Sequence, residues 1–215
     1  MSHPVFARVY TALATLADRG EMADLRDQAL AGAGGRLLVV GLGPGVDLDH
    51  LPPTVTDVVA VEPDPTMRRI AARRAARAGV PVSLLPGAGE SLPLAAASVD
   101  TALLAYVLCS VQDPSRVLLE VRRVLRPEGT LHLLEHVRAP DGTRLARWQD
   151  RLAGPWSRLA GGCRPNRRTR DLVAAAGFDT AGLRPAELHP NLPLVAPQLV
   201  GAAPVRPPGP ARGDR

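Results

Sequence analysis

The stretch Arg36-Leu37-Leu38-Val39-Val40-Gly41-Leu42-Gly43-Pro44-Gly45 restricts the possible folds more than any other part of the chain. Leu37 to Val40 are apolar without alternation, as expected of a strand buried on both faces of a parallel sheet. Glycines at 41, 43 and 45 then end the strand. Glycine there lets the backbone turn sharply and leaves room for a ligand against the main chain. A second apolar run, Val58-Val59-Ala60-Val61, carries Glu62 at its tip. In nucleotide-binding α/β folds an acid about 20 positions past the glycines accepts hydrogen bonds from ribose hydroxyls, and Gly41 to Glu62 fits that spacing.

A dinucleotide fingerprint, G-x-G-x-x-G, needs a third glycine at position 46, where the chain has Val46. The form present, G-x-G-x-G, is that of S-adenosylmethionine-dependent methyltransferases. From Arg36 to about Glu135 the chain resembles the class I members of that family. A longer run carries the likeness further: Ser98-Val99-Asp100, Val107-Leu108-Cys109-Ser110-Val111, Glu120 to Gly129 and Glu135-His136-Val137, followed by Gly162-Cys163 and Arg167. That run is similar to the methyltransferase-like 7 thiol methyltransferases and their bacterial relatives.

The resemblance implies a Rossmann-like seven-stranded, mostly parallel α/β sheet with helices on both faces and an antiparallel edge strand. It implies S-adenosyl-L-methionine as cofactor and a small-molecule methyl acceptor, a thiol among the candidates. The cofactor residues it implies are Gly41, Leu42, Gly43, Gly45, Glu62, Pro63, Ala88, Gly89, Glu90, Ala105 and Tyr106. Two positions depart from the family. An acid often lies two residues before the first glycine, where this chain has Val39. Ala88 stands where an aspartate often receives the adenine amino group, so the amides of Ala88 and Gly89, with Glu90, are expected to serve adenine. The other reading of Glu90 is a solvent-exposed turn residue.

With 215 residues, 46% of them hydrophobic, the chain can bury one sizeable core. Its net charge of +5 raises the question of nucleic acid. Every basic residue is arginine, interspersed with acids along expected helices, and two tyrosines and two phenylalanines offer little stacking, so no nucleic-acid groove is expected. The absence of lysine removes a P-loop lysine and a Schiff-base nucleophile. Cys109 and Cys163 have no CxxC spacing, so no metal site or disulfide framework follows. No signal peptide or membrane span is expected, and the chain reads as cytoplasmic, although the resembling proteins commonly carry an N-terminal membrane anchor.

In chain order, residues 1–35 read as a helical cap, with Phe6, Val9, Tyr10, Leu13, Leu16, Met22 and Leu25 at helical spacing and a break at Gly20. Residues 36–203 form the methyltransferase domain, with a helical insertion at about 141–165, and 204–215 a proline-rich disordered tail. Val46 to Leu51 is a short helix with His50 at its surface end. Asp64 and Pro65 start a helix running to Ala78, whose arginines 68, 69, 73, 74 and 77 form a solvated face. Asp113-Pro114 start another, striped by Val117, Leu118, Val121, Val124 and Leu125. Trp148, Leu152 and Trp156 anchor the insertion, and Asn166 caps a last helix. Phe178–Glu187 and Leu194–Val205 are candidates for the final antiparallel strands, despite their prolines.

The groups expected near the site mouth are Tyr106, Glu135, His136 and Cys163. His136 is the best-placed titratable side chain and the candidate catalytic residue; the alternative is a structural imidazole. Cys109 reads as a small buried hydrophobe. Two other outcomes remain open at this point: a protein that keeps the fold but has lost turnover, and a nicotinamide-dependent oxidoreductase.

Overall fold

A computed structural model describes residues 11–12, 14–189 and 192–207. The expected apolar positions Phe6, Val9, Tyr10 and Leu13 lie outside these residues, as does most of the expected tail.

Seven strands form one sheet: β1 (Gly35–Val40), β2 (Val55–Val61), β3 (Val82–Leu85), β4 (Val99–Ala105), β5 (Leu125–His136), β6 (Leu183–Glu187) and β7 (Pro197–Pro204), in the order β3-β2-β1-β4-β5-β7-β6. Neighbours from β3 to β5 pair in parallel, whereas β7 runs antiparallel to both β5 and β6. The antiparallel strand is thus one in from the edge that β6 closes. The prolines are accommodated because Pro185 lies in that edge strand, and Pro197 and Pro204 are the first and last residues of β7. The sheet also reaches into the stretch expected as tail: Pro204 belongs to β7 and Val205 pairs with Phe178.

Helices covering the sheet include α1 (Glu21–Leu30), α2 (Pro65–Ala75), α3 (Pro114–Val124), α4 (Arg144–Leu159) and α5 (Thr169–Ala175). Alternate side chains of β1 feed different cores, as the pleat requires. Leu38 and Val40 pack with Val117, Leu118 and Val121 of α3 and Val173 of α5, while Leu37 and Val39 pack with Leu25, Ala29 and Leu30 of α1. This two-sided burial explains the unbroken apolar run. α1 is tied down by polar contacts also: the buried His132 of β5 bonds the Ala29 carbonyl at 2.7 Å. Arg26 pairs with Asp18 and Asp47 beside the glycine loop.

Local chemistry sets the helix ends. The Asp64 side chain accepts from the amides of Thr66 and Met67, with Pro65 in the first turn. α2 stops at Ala75, three residues earlier than expected. Two of its arginines are tethers instead of solvated charges: Arg68 donates to the Glu62 and Pro63 carbonyls, and Arg74 to Asp49, Thr15 and the Pro44 carbonyl. Residues Val46–His50 form a 3-10 turn. His50 sits between Asp27 at 2.7 Å and Asp18 at 3.1 Å, so it is a partly buried strut between this turn and the N-terminal segment.

α4 packs by a face that includes only part of the expected stripe: Trp156 lies against Cys109, Cys163 and Val195. Its buried residues are Ala146, Gln149 and Ala153, while Trp148 is 50% exposed. The Gln149 side chain accepts from the Ala139 amide and donates to the Val137 and Leu194 carbonyls, fixing the helix by polar contacts that a count of apolar spacing overlooks. Asn166 does not cap α5; its amide donates to Asp150.

Candidate functional site

The carboxyl ends of β1, β2, β3 and β4 converge, and the expected cofactor residues lie there. Gly41, Gly43 and Gly45 have φ of 65°, 56° and 81°, all left-handed. A Cβ at Gly41 would lie 2.9 Å from a Val107 methyl. The turn therefore needs glycine for both conformation and space. It also aims the Gly43 amide at the neighbouring strand tip, where it donates to Glu62 Oε2 at 2.8 Å. The other oxygen, Oε1, accepts from the Asp64 amide at 2.9 Å. Glu62 is 6% exposed. Burial pushes its carboxyl above the usual range, and the two amides partly offset that.

Around this clasp the other expected residues take distinct positions. Leu42 turns its side chain into the core, leaving its main chain at the loop. Pro63 is exposed, and its carbonyl holds Arg68. Ala88 is exposed and bridges to Ser91, while Gly89 is buried so closely that a Cβ would lie 3.0 Å from a Val40 methyl. Glu90 is half-buried, and its carbonyl accepts from Arg116. Glu120, which the sequence reading did not single out, braces this loop: it accepts from the Leu92 amide and pairs with Arg123. The Arg123 hydrogen bonds hold its carboxyl down to about 2. Ala105 ends β4, and Tyr106 follows with a φ of 59°, unusual for a side chain of that size. Its hydroxyl donates to the Met22 sulfur at 3.2 Å, and Arg26 lies over its ring, so the N-terminal helix closes over this side. Val39 is 1% exposed within the apolar core, well away from any polar role.

The second half of the site differs from expectation. Glu135 is not at the mouth. It is fully buried and accepts from three consecutive amides, Val107 and Leu108 at 2.7 Å and Cys109 at 3.2 Å. Burial pushes its carboxyl up to about 7 against those three bonds. It clamps the loop after β4. His136, the next residue, points the other way. Its ring lies 4.5 Å from the Tyr106 ring, and its Nδ1 lies 3.7 Å from Cys109 Sγ and 3.5 Å from Cys163 Sγ. Hydrogen bonding from Cys109 lowers the Cys163 thiol, with His136 acting in the same direction, while the same contact and burial raise Cys109. The two cysteines are thus neighbours in space, which their separation in sequence conceals. Arg167 donates to the Val111 carbonyl and so braces the same loop from the other side. A groove of about 900 Å³ lies beyond this, lined by Arg138, Arg167, Pro185 and Gln198 among others; none of the expected cofactor residues lines it.

Residues 38–133 match the methyltransferase domain model. Over 174 residues the chain is 34% identical to thiol S-methyltransferase TMT1B of Rattus norvegicus, covering 78% of this chain and 69% of that protein. Over 181 residues it is 33% identical to thiol S-methyltransferase TMT1A of Homo sapiens, covering 82% of this chain and 74% of that protein. The chain belongs to the S-adenosylmethionine-dependent methyltransferases. A crystal structure of a SAM-dependent methyltransferase from Thermotoga maritima shares its fold, with a TM-score of 0.71 over 94% of this methyltransferase and 98% of that chain at 23% identity. Among its described residues the methyltransferase has no helix long and apolar enough to cross a membrane.

Proposed function

We propose that this methyltransferase transfers the methyl group of S-adenosylmethionine to the sulfur of small thiols, with the adenosyl part held between the glycine turn and Glu62. The observation that carries the cofactor half is the contact of Gly43 with Glu62: bare main chain at one strand tip meets a buried carboxylate at the next. Gly41, Leu42, Gly43 and Gly45 offer backbone, Glu62 and Pro63 flank the ribose, and Ala88, Gly89 and Glu90 take adenine. Ala105 and Tyr106 lie toward the methyl. When bound, the cofactor supplies a methyl carbon that its sulfonium already makes electrophilic.

The chain's own task is then to hold donor and acceptor in line, which can contribute about 7–11 kcal/mol of a barrier. A thiol is a few per cent thiolate at neutral pH and strongly nucleophilic, so it needs less help from a base than a phenol or an amine. That suits a site where Glu135 is sealed into the fold and His136 is the titratable group left at the acceptor side. The likeness to the TMT1 proteins over most of the chain supports sulfur as the acceptor atom.

A second reading, cofactor binding without turnover, draws on Val39, whose burial leaves the amino-acid end of the cofactor without the family's acid. One assay separates the two. Calorimetric titration should give binding of S-adenosylhomocysteine and none of NAD, and a panel of thiols, phenols and quinols read by mass should show methylation of thiols. Binding without transfer to any of them would instead support the second reading.

A further inference from the structure

Cys109, His136 and Cys163 come from three separate segments: the loop after β4, the end of β5, and the loop after α4. Their ligand atoms, two Sγ and Nδ1, all lie within 4.8 Å of one another. The sulfur-to-nitrogen separations, 3.7 and 3.5 Å, bracket the edge of about 3.6 Å that a tetrahedral zinc sets, given Zn–S near 2.3 Å and Zn–N near 2.05 Å. Hydrogen bonding alone serves this arrangement less well. An imidazole nitrogen has one donor or acceptor position, and here two sulfurs share it. A metal ion at the centre engages all three atoms at once.

Each ligand is also held from behind. Glu135 fixes the Cys109 amide, and the Arg164 amide donates to the Cys109 carbonyl at 2.7 Å, which ties the two cysteine loops together. A Cβ at Gly162 would lie 2.8 Å from the Ser110 carbonyl oxygen, so only glycine lets the Cys163 loop approach this closely. The Tyr106 ring lies 4.5 Å from that of His136 at a tilt of 36°, and Ser110 Oγ lies 3.4 Å from Cys109 Sγ. Such outer contacts are what orient metal ligands. Among the described residues no fourth histidine, cysteine or carboxylate joins the group. Three protein ligands and a fourth position left to a small molecule is the pattern of a reactive zinc site, whereas structural sites use four.

We infer that Cys109, His136 and Cys163 bind one zinc ion, and that its fourth position receives the sulfur of the acceptor. The second part rests on the thiol reading proposed above. Two thiolates and a neutral imidazole cancel the charge of Zn²⁺. An incoming thiol would displace the zinc-bound water, form a Zn–S bond and lose its proton to solvent. It stays a nucleophilic thiolate because the two cysteine thiolates already neutralise the ion, so that the complex with the acceptor carries a net negative charge. His136 then serves as a ligand, a different role from the base its position first suggests, and Tyr106 links the metal to the cofactor side of the site.

The test uses the full chain, stripped with a chelator and kept reduced with a phosphine, and titrated with Co²⁺ alone. One equivalent should produce a thiolate-to-cobalt charge-transfer band and the intense visible bands of four-coordinate cobalt, and zinc should erase them. Cys163→Ser and His136→Ala, checked for folding by circular dichroism, should lose the signal, and His50→Asn should keep it. No cobalt signal from the wild-type chain with both thiols still titratable would overturn the site. Ethanethiol should shift the charge-transfer band and ethanol should not. Cobalt binding with a spectrum that ethanethiol leaves unaltered would overturn the acceptor role, whatever the outcome of the methylation panel.

Discussion

Glu62 has two carboxylate oxygens and two backbone donors already on them, from Gly43 and Asp64. Replacing it with glutamine keeps the volume but removes the charge and one acceptor. The ribose role predicts that Glu62→Gln weakens S-adenosylhomocysteine binding by about 1.5–3 kcal/mol, roughly ten- to a hundredfold. Calorimetry checks this, and an unaltered dissociation constant contradicts it. Glu62 and the glycines were readable because their spacing reports a backbone geometry that any ligand of this kind needs. The cysteine–histidine group was not. Its members are 27 residues apart in each step, and only the parallel crossover between β4 and β5 and the return of the chain after α4 bring them together. The role of Glu135 was hidden for a related reason: adjacent strand residues point to opposite faces, and nothing local says which of Glu135 and His136 turns inward.

The elements themselves were largely legible, since unbroken apolar runs, Asp-Pro caps and terminal glycines act over a few residues. α4 is the exception. Trp148 of the expected stripe turns outward while Trp156 packs inward, and the helix is seated also by the Gln149 amide among three backbone partners. Gln149→Leu should therefore destabilise the protein despite adding an apolar side chain. Leaving the buried Ala139 amide without an acceptor costs about 1–3 kcal/mol, readable as a lower urea midpoint. The glycine turn is the other sensitive element. Gly43→Val puts a branched side chain at a φ of 56° and fills the space in front of Glu62. It should abolish cofactor binding, and a normal titration with S-adenosylhomocysteine would refute that steric account.

At the scale of the whole molecule, groups with shifted pKa values shape the dependence of stability on pH, and their signs differ. Glu120 falls from 4.5 to about 2, so its contribution is complete above 4.5 and lost as pH drops through 2. Glu62 is raised from 4.5, so it favours folding below that value and ceases to do so as pH climbs through its folded pKa. His50 loses to burial but gains more from Asp27 and Asp18, and its pKa rises from 6.5. Its contribution is complete below 6.5 and disappears as pH rises through the folded value. Urea midpoints should accordingly rise from pH 2 to about 4.5 and decline from there through about 7, since the buried Glu135 carboxyl, raised from 4.5 to about 7, acts in the same sense as Glu62; Glu120→Gln should flatten the acid limb while His50→Asn flattens the part above 6.5. Of these groups Glu62 belongs to the clasp between the first two strands. A co-crystal structure with S-adenosylhomocysteine tests that clasp most directly: the account predicts ribose hydroxyls on the Glu62 carboxylate and the adenosyl chain against Gly41 to Gly45, and a sugar bound away from both strand tips would contradict it.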